Sequence, residues 1–288
     1  MTVYMHSQAQ AALLRWIRER EKVRKAKEAG LPKPWTSDPI IQSSRFCNVR
    51  REDDKVTRWI AEHIRKPLAH SPTLPTALAL ARHINRIETL ENLFDPRDWK
   101  DKYEPKRIVD VLGEMKADGR QIYGAAYVMR AESNPAMEWY SWPKHRYIVE
   151  IVAGQVWHRR GDLTAWAKYS DGMEKVWTFL NSLYGWGEFM AFQVTVDLRH
   201  TPFLEGAADL RSFVAFGPGT RRGLNRMYGR DLSARLSRLI LRENLLEVQY
   251  FIDEETGIEL EPYDVANCMC ELDKYMRGGG KQRYPGAK

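Results

Sequence analysis

The sequence predicts an all-α protein. Apolar residues recur at intervals of three and four along most of the 288 residues, and glycine- or proline-centred breaks separate these runs. Residues 7–29 read as a basic amphipathic helix, closed by Gly30 and the proline-rich stretch 31–34. Thr36-Ser37-Asp38-Pro39 is a turn or cap signal, and Asp53 or Asp54 caps a helix carrying Val56, Trp59, Ile60 and Ile64. Ser71-Pro72 opens another, with Leu78, Ala81, Ile84 and Ile87 at helical spacing. Further helical patterns cover 104–118, 122–131, 142–158, 162–183, 188–198, 220–228 and 232–248. The exception is Val248-Gln249-Tyr250-Phe251-Ile252, which reads as a short strand. With no internal repeat and no clear linker, residues 1–278 are expected to form a single composite helical domain. A flexible, glycine-rich basic tail follows at 279–288.

Composition narrows the class. With 43% hydrophobic and 11% aromatic residues the chain can bury a sizeable core. No apolar run has the length of a membrane span, and MTVYMHSQAQ lacks the basic-then-apolar order of a secretion signal. Cys47, Cys268 and Cys270 make no disulfide framework, and no second cysteine or histidine pair completes a zinc pattern. The reading is a cytoplasmic, reduced protein without metal or cofactor.

Two glycine turns stand out. Gly185-Trp186-Gly187 joins a hydrophobic helix end to a second helical run, and Gly217-Pro218-Gly219-Thr220-Arg221-Arg222-Gly223 repeats the device with two arginines added. Backbone N–H groups at such a turn, backed by a helix dipole, suit a phosphate. Charge supports this. The net charge is +7, and the window from Arg211 to Arg242 alone holds eight arginines, no lysine, no glutamate and one aspartate, Asp231. Arginine without lysine suits forked recognition of phosphate. Arg226 and Arg230 extend the basic run. Arg235, Arg238 and Arg242, opposite Leu236, Leu239 and Ile240, read equally well as a solvated helix face.

Several chemistries are excluded. No G-x-x-x-x-G-K-[ST] occurs, so the chain is no P-loop kinase. The glycines at 217, 219 and 223 have the wrong spacing for a dinucleotide fingerprint, and no G-x-S-x-G elbow is present.

Gly185-Trp186-Gly187, a following helix and then Asp209 resemble the helix–hairpin–helix element and trailing aspartate of the DNA glycosylase superfamily. Those enzymes extrude a base from the duplex for chemistry on it. The lysine nucleophile of the bifunctional members would fall near Phe189 and is absent, which argues against a lyase. A second resemblance spans more of the chain. It rests on Thr36-x-Asp38-Pro39-Ile40, Arg45-Phe46-x-Asn48-Val49-x-Arg51-x-x-Asp54-x-Val56, Asn85-x-Ile87-Glu88-Thr89 and Ile122-Tyr123-x-x-Ala126-Tyr127. Gly187-x-Phe189-x-Ala191-x-Gln193 and Phe213-Val214-x-x-Gly217-Pro218-Gly219 complete it. These segments resemble the bacteriophage DNA base hypermodification proteins, labelled as the helical domain of 5-hydroxymethyluracil DNA kinase. They are related to the alpha-glutamyl/putrescinyl-thymine pyrophosphorylases and amino acid:DNA transferases.

The resemblance implies a helix–hairpin–helix DNA glycosylase-like helical domain, its core at about 162–248. It also implies an enzyme that expels pyrophosphate from an activated 5-hydroxymethyluracil in double-stranded DNA and installs an amino acid or polyamine. A separate DNA kinase would supply the activated base, and the reaction would run in the host cytoplasm. In that reading Asp209 supports catalysis, Gly185, Trp186 and Gly187 grip DNA with Arg226 and Arg230, and Gly217, Gly219, Arg221 and Arg222 cradle pyrophosphate. Arg45, Asn48, Arg51 and Asp54, spaced by threes, would share one helix face, with Asn48 and Asp54 at the chemistry and the arginines on phosphate. Asn85, Thr89 and Tyr127 would line the same pocket, and Tyr127 or Trp186 would stack on the extruded base. Two other readings stay open: a glycosylase removing a modified uracil, and a non-catalytic DNA-binding subunit of a kinase.

Overall fold

The computed structural model describes residues 4–95, 97–124, 131–169 and 171–280. Among them every regular element is helical, as the apolar spacing predicts. The chain divides into two compact units, Met1–Asp54 with Phe216–Lys288 and Lys55–Ala215.

The chain opens with α1 (Ser7–Glu28), whose apolar stripe buries Leu13, Trp16 and Ile17. The short α2 (Pro39–Ser43) starts at Asp38, whose carboxylate accepts the Ile40 and Ile41 N–H groups at 2.9 and 3.1 Å. Tyr275 donates its hydroxyl to the same carboxylate at 2.5 Å. The predicted cap at Asp38 is therefore present, and burial joins it to the core of its unit.

In the second unit, α3 (Lys55–Ile60) runs through a π-helical stretch, Ala61–Arg65, towards α4 (Leu74–Ile84). Every residue of α4 is buried, so it is the axis of this unit. It stops where Asn85 takes a left-handed φ of 48°, and Ile87, expected on α4, begins α5 (Ile87–Leu93) instead. Then come α6 (Pro105–Ala117) and a continuous helical stretch made of α7 (Lys144–Arg146), π-helical Tyr147–Ala153 and α8 (Gly154–His158). The helix predicted over 162–183 is two, α9 (Arg160–Ala167) and α10 (Gly172–Asn181). At Gly172 a Cβ would lie 2.8 Å from the Ala167 carbonyl, so the chain turns there through a residue without one. α11 (Glu188–Arg199) completes the unit and packs on α4. Residues 122–124 are not helical, and the rest of the helix predicted over 122–131 falls mainly on 125–130, outside the described residues.

The chain returns to the first unit through α12 (Pro218–Met227), α13 (Arg238–Thr256) and α14 (Pro262–Met276). The strand expected at 248–252 lies inside α13. Leu241, Leu245, Val248 and Ile252 keep intervals of four, three and four on one buried face, and that periodicity overrides the local β preference of valine, tyrosine and isoleucine. α14 opens with a capping box, in which Glu261 and Asp264 each take the other's backbone N–H. It buries Val265, Cys268, Met269 and Leu272, together with three acids, Asp264, Glu271 and Asp273. The tail's residues 281–288 lie outside the described residues.

Candidate functional site

In the first unit the motif segments converge on α14. The Arg51 N–H donates to Asp264 Oδ1 at 2.8 Å, Asn267 Nδ2 donates to the Asn48 carbonyl at 3.4 Å, and Lys274 donates to the Arg45 carbonyl. The segment from Arg45 to Asp54 is therefore not the helix that its spacing suggested. It is extended and ends in a 3₁₀ turn, Arg51–Asp53. Side chains compete for its backbone groups, Asp264 for the Arg51 N–H and Asn48 Nδ2 for the Asp53 carbonyl at 2.9 Å, and that competition replaces helical bonding. Asn48 Oδ1 also accepts from Arg20 at 3.1 Å, so one donor and one acceptor of this amide are engaged within the protein. Arg45 and Asp54 are exposed, while Arg51 is half-buried. Burial pushes the Asp264 carboxyl up to about 6 despite the N–H groups it accepts.

α12 lies against the opposite side of α14. Arg222 Nε and Arg226 Nε each reach Asp273, at 2.9 Å on separate oxygens, and Arg277 Nε stands 3.9 Å away. Arg221 turns back to its own segment and donates to the Phe216 carbonyl at 3.0 Å. Arg230 donates to Asn244 Oδ1 at 2.8 Å and stacks over Tyr228. The glycines of this turn have separate reasons. Gly217 is the N-cap, with φ −69°, and a Cβ there would meet no atom within 4 Å. A Cβ on Gly219 would meet Cys270 Sγ at 2.3 Å, and one on Gly223 would meet the Met269 carbonyl oxygen at 2.0 Å. Gly219 and Gly223 thus let α12 and α14 approach closely, a packing role that the phosphate-cradle expectation did not include.

In the second unit α10 and α11 are joined by a tight turn that contains Gly185-Trp186-Gly187. Gly185 has φ +78°, and a Cβ there would lie 2.4 Å from the Tyr147 hydroxyl, so both conformation and space require glycine. Trp186 is half-buried; its indole N–H donates to the Val152 carbonyl at 2.9 Å and its ring meets His83 edge-on at 4.9 Å. Gln155 holds both the N–H and the carbonyl of Tyr184, at 3.0 and 2.9 Å. The turn is braced from several elements. Asp209 accepts the Met173 and Glu174 N–H groups at 3.0 and 2.9 Å, one on each oxygen, and so caps α10 from 36 and 35 residues away. A carboxylate oxygen has a second lone pair, so the cap does not exhaust its accepting capacity.

Thr89 and the end of α4 share one task in this unit. The Thr89 hydroxyl donates to the Ile122 carbonyl at 2.8 Å, and the Gly124 N–H donates to the Ile84 carbonyl at 2.8 Å, beside Asn85. Together they hold residues 122–124 against the end of α4. Tyr127 lies outside the described residues. Sequence reasoning passed over His83 and took Tyr123 only as part of a motif: among the described residues His83 Nε2, the Asn85 amide oxygen and the Tyr123 hydroxyl are all buried without a hydrogen-bond partner. The only available signal was the position of His83 two residues before the Asn85 motif. Among the described residues no group of three or more histidine, cysteine, aspartate or glutamate side chains is placed to hold a metal ion, and no helix is long and apolar enough to cross a membrane.

His83 makes this unit sensitive to acid. Its Nδ1 bonds the Ala79 carbonyl at 2.7 Å, and burial pushes its pKa down to about 4 from 6.5. Between those values the unfolded chain binds the proton and the folded chain does not, so stability falls as pH drops through that window. His83→Gln is expected to remove this component, on the order of 3 kcal/mol at the acid end. Urea titrations near pH 7 and pH 4 check it; equal acid losses in both proteins would exonerate His83.

No curated protein and no solved structure shows a significant match to the chain. A family model, described as 5-hmdU DNA kinase, helical domain, matches residues 7–282, and on that nearly complete match the chain belongs to this DNA thymine-modification family.

Proposed function

We propose that, within DNA thymine modification, this chain is a transferase with a helix–hairpin–helix, glycosylase-like core. It displaces pyrophosphate from a 5-(pyrophosphoryloxymethyl)uracil extruded from duplex DNA. An amine, from an amino acid or polyamine, attacks the exocyclic methylene; the C–N bond forms as the C–O bond to pyrophosphate breaks, and the amine loses a proton to a protein base. The observation that carries this reading is the cluster in which Arg222, Arg226 and Arg277 share one buried carboxylate, Asp273. These four groups are net positive and are gathered by α14, the helix that also holds the motif segment 45–54, which suits charge that develops on a departing pyrophosphate. In the same reading Arg45 and Arg51 steady the substrate phosphates, and Asp209, carried at the start of α10, serves as the base.

One observation favours a second reading. Both oxygens of Asp209 already cap a helix, and the sequence lacks the G-x-x-x-x-G-K-[ST] pattern of a P-loop kinase, which suits a DNA-binding subunit that serves a separate kinase. Asp209→Asn separates the two, because an asparagine at the same reach keeps an accepting oxygen for the α10 N–H groups but offers no carboxylate base. Under the transferase reading it lowers amine transfer by roughly 10²–10⁴-fold with the fold retained. The assay is mass spectrometry of nucleosides from 5-hydroxymethyluracil DNA that a matching kinase has pyrophosphorylated, after incubation with this protein and a mixture of amines. An amine-bearing nucleoside that Asp209→Asn no longer makes supports the proposal. Free base with abasic DNA makes the protein a glycosylase, and unaltered DNA with tight binding makes it a subunit.

A further inference from the structure

One cavity in the first unit plays no part in the chemistry above. It is a groove of about 940 Å³ between the outer face of α1, the proline-rich residues that follow it and the end of α13. Arg18, Lys22 and Lys25 form one wall, and Leu31, Pro34 and Trp35 form an apolar floor. A second hollow of about 400 Å³ continues along the same helix from Arg18 to Arg15. The four cations stand at intervals of three, four and three, so they make one stripe about 15 Å long.

Two of the four cations already have acid neighbours, Arg15 Nε at 2.9 Å from Asp38 and Lys22 at 4.0 Å from Glu19, and Glu21 and Glu255 also line the groove. Glu21 is locked to Arg24 at 2.9 Å, and Glu19 accepts the Thr36 hydroxyl. Among the described residues neither Arg18 nor Lys25 is paired with a carboxylate; Arg18 is steadied by the Glu255 backbone carbonyl at 3.0 Å. Trp35 has its indole N–H engaged by the Leu31 carbonyl at 2.7 Å, and Lys33 Nζ lies 5.1 Å from its ring centroid. A row of cations beside an aromatic, apolar floor is the combination that holds a nucleic-acid strand, with the cations on phosphates and the ring against a base. The length of the stripe matches the axial run of about four nucleotides at 3.4 Å each.

We propose that this groove binds one strand of the DNA near the extruded base, through Arg15, Arg18, Lys22 and Lys25 on the phosphates and Trp35 on a base. The inference rests on the reading of the chain as a DNA-modifying protein, but not on the transfer reaction. Its test is therefore binding alone, by fluorescence anisotropy of a labelled single-stranded oligonucleotide of unmodified DNA across a salt series. The triple variant R18A/K22A/K25A is expected to flatten the slope of log K against log salt by about 2 units, near 0.7 for each phosphate no longer neutralised. Trp35→Leu is expected to weaken binding by about 5- to 150-fold with the slope unchanged. A control that removes the same charge elsewhere, K100A/K102A/K106A, leaves the slope as it was. An unchanged slope in the folded triple variant overturns the proposal, as does equal flattening in the control. Lost binding of poly-glutamate with the DNA slope intact also overturns it, in favour of an acidic protein partner. Amine transfer, read by product mass spectrometry, fails or succeeds independently of these slopes.

Discussion

Replacing Asp197 with asparagine is expected to destabilise the Lys55–Ala215 unit by about 3–5 kcal/mol. Asp197 lies on α11 with no exposed side-chain surface, and it receives Arg82 of α4 through two bonds, Nε at 2.5 Å and Nη2 at 2.8 Å. Arg65 adds a second guanidinium at 3.9 Å, and Thr57 accepts from Arg82 at 3.1 Å. A side-chain amide keeps the shape but removes the negative charge, so two buried cations face each other across a neutral group. The attraction that offset their desolvation is lost, while the desolvation remains. The midpoint of thermal unfolding should fall by roughly 10 °C. Circular dichroism melts of both proteins decide it: a shift of only a degree or two would mean that water reaches Arg82 and that α4 and α11 are held by apolar packing alone. The paired replacement R82M/D197L is expected to recover much of the loss, since a well-packed apolar pair can match a buried ion pair.

That ion pair was invisible in the sequence, where Arg82 and Asp197 stand 115 residues apart and each reads as a solvated charge. The same blindness hid α14. Its buried face carries Asp264, Glu271 and Asp273 among the apolar residues, which dilutes the apolar spacing that revealed the other long helices. Yet α14 is what draws the motif residues of its unit together. The helical class, the cap at Asp38 and the hairpin glycine at 185 were legible, because each follows from local chemistry: a period, a side-chain acceptor, a positive φ. Arg45, Asn48 and Arg51 were legible as a cluster but not in their form. Spacing by threes suggested a helix, and only the distant acceptor Asp264 explains why the backbone leaves that path. Asp209 shows the converse. Its isolation between two glycine turns drew attention to its charge, whereas the N–H groups it accepts lie 35 and 36 residues back in the chain.

The glycines of the second turn separate packing from ligand binding. Gly223→Ala places a methyl carbon 2.0 Å from the Met269 carbonyl oxygen, a backbone atom that no side-chain rotation can clear. The helices must part by more than an ångström, and α12 and α14 form the most intimate helix pair of their unit. Alanine favours the helix over glycine by about 1 kcal/mol, but overpacking of this kind costs about 3 kcal/mol or more, so a net loss of at least 2 kcal/mol is expected. Arg222 and Arg226 flank the site and both depend on Asp273 across the same interface, so their shared ion pair should loosen along with the packing. Gly217→Ala is the counterpart: φ is −69° and no atom lies within 4 Å, so stability should hold within about 0.5 kcal/mol. If this N-cap glycine admits a phosphate to the start of α12, Gly217→Ala will weaken binding of pyrophosphorylated DNA while leaving the unfolding midpoint alone. Gly223→Ala, by contrast, will lower the midpoint first. Equal stability in both variants would remove close helix approach as the reason for glycine at 223, and would return that position to the phosphate-binding turn.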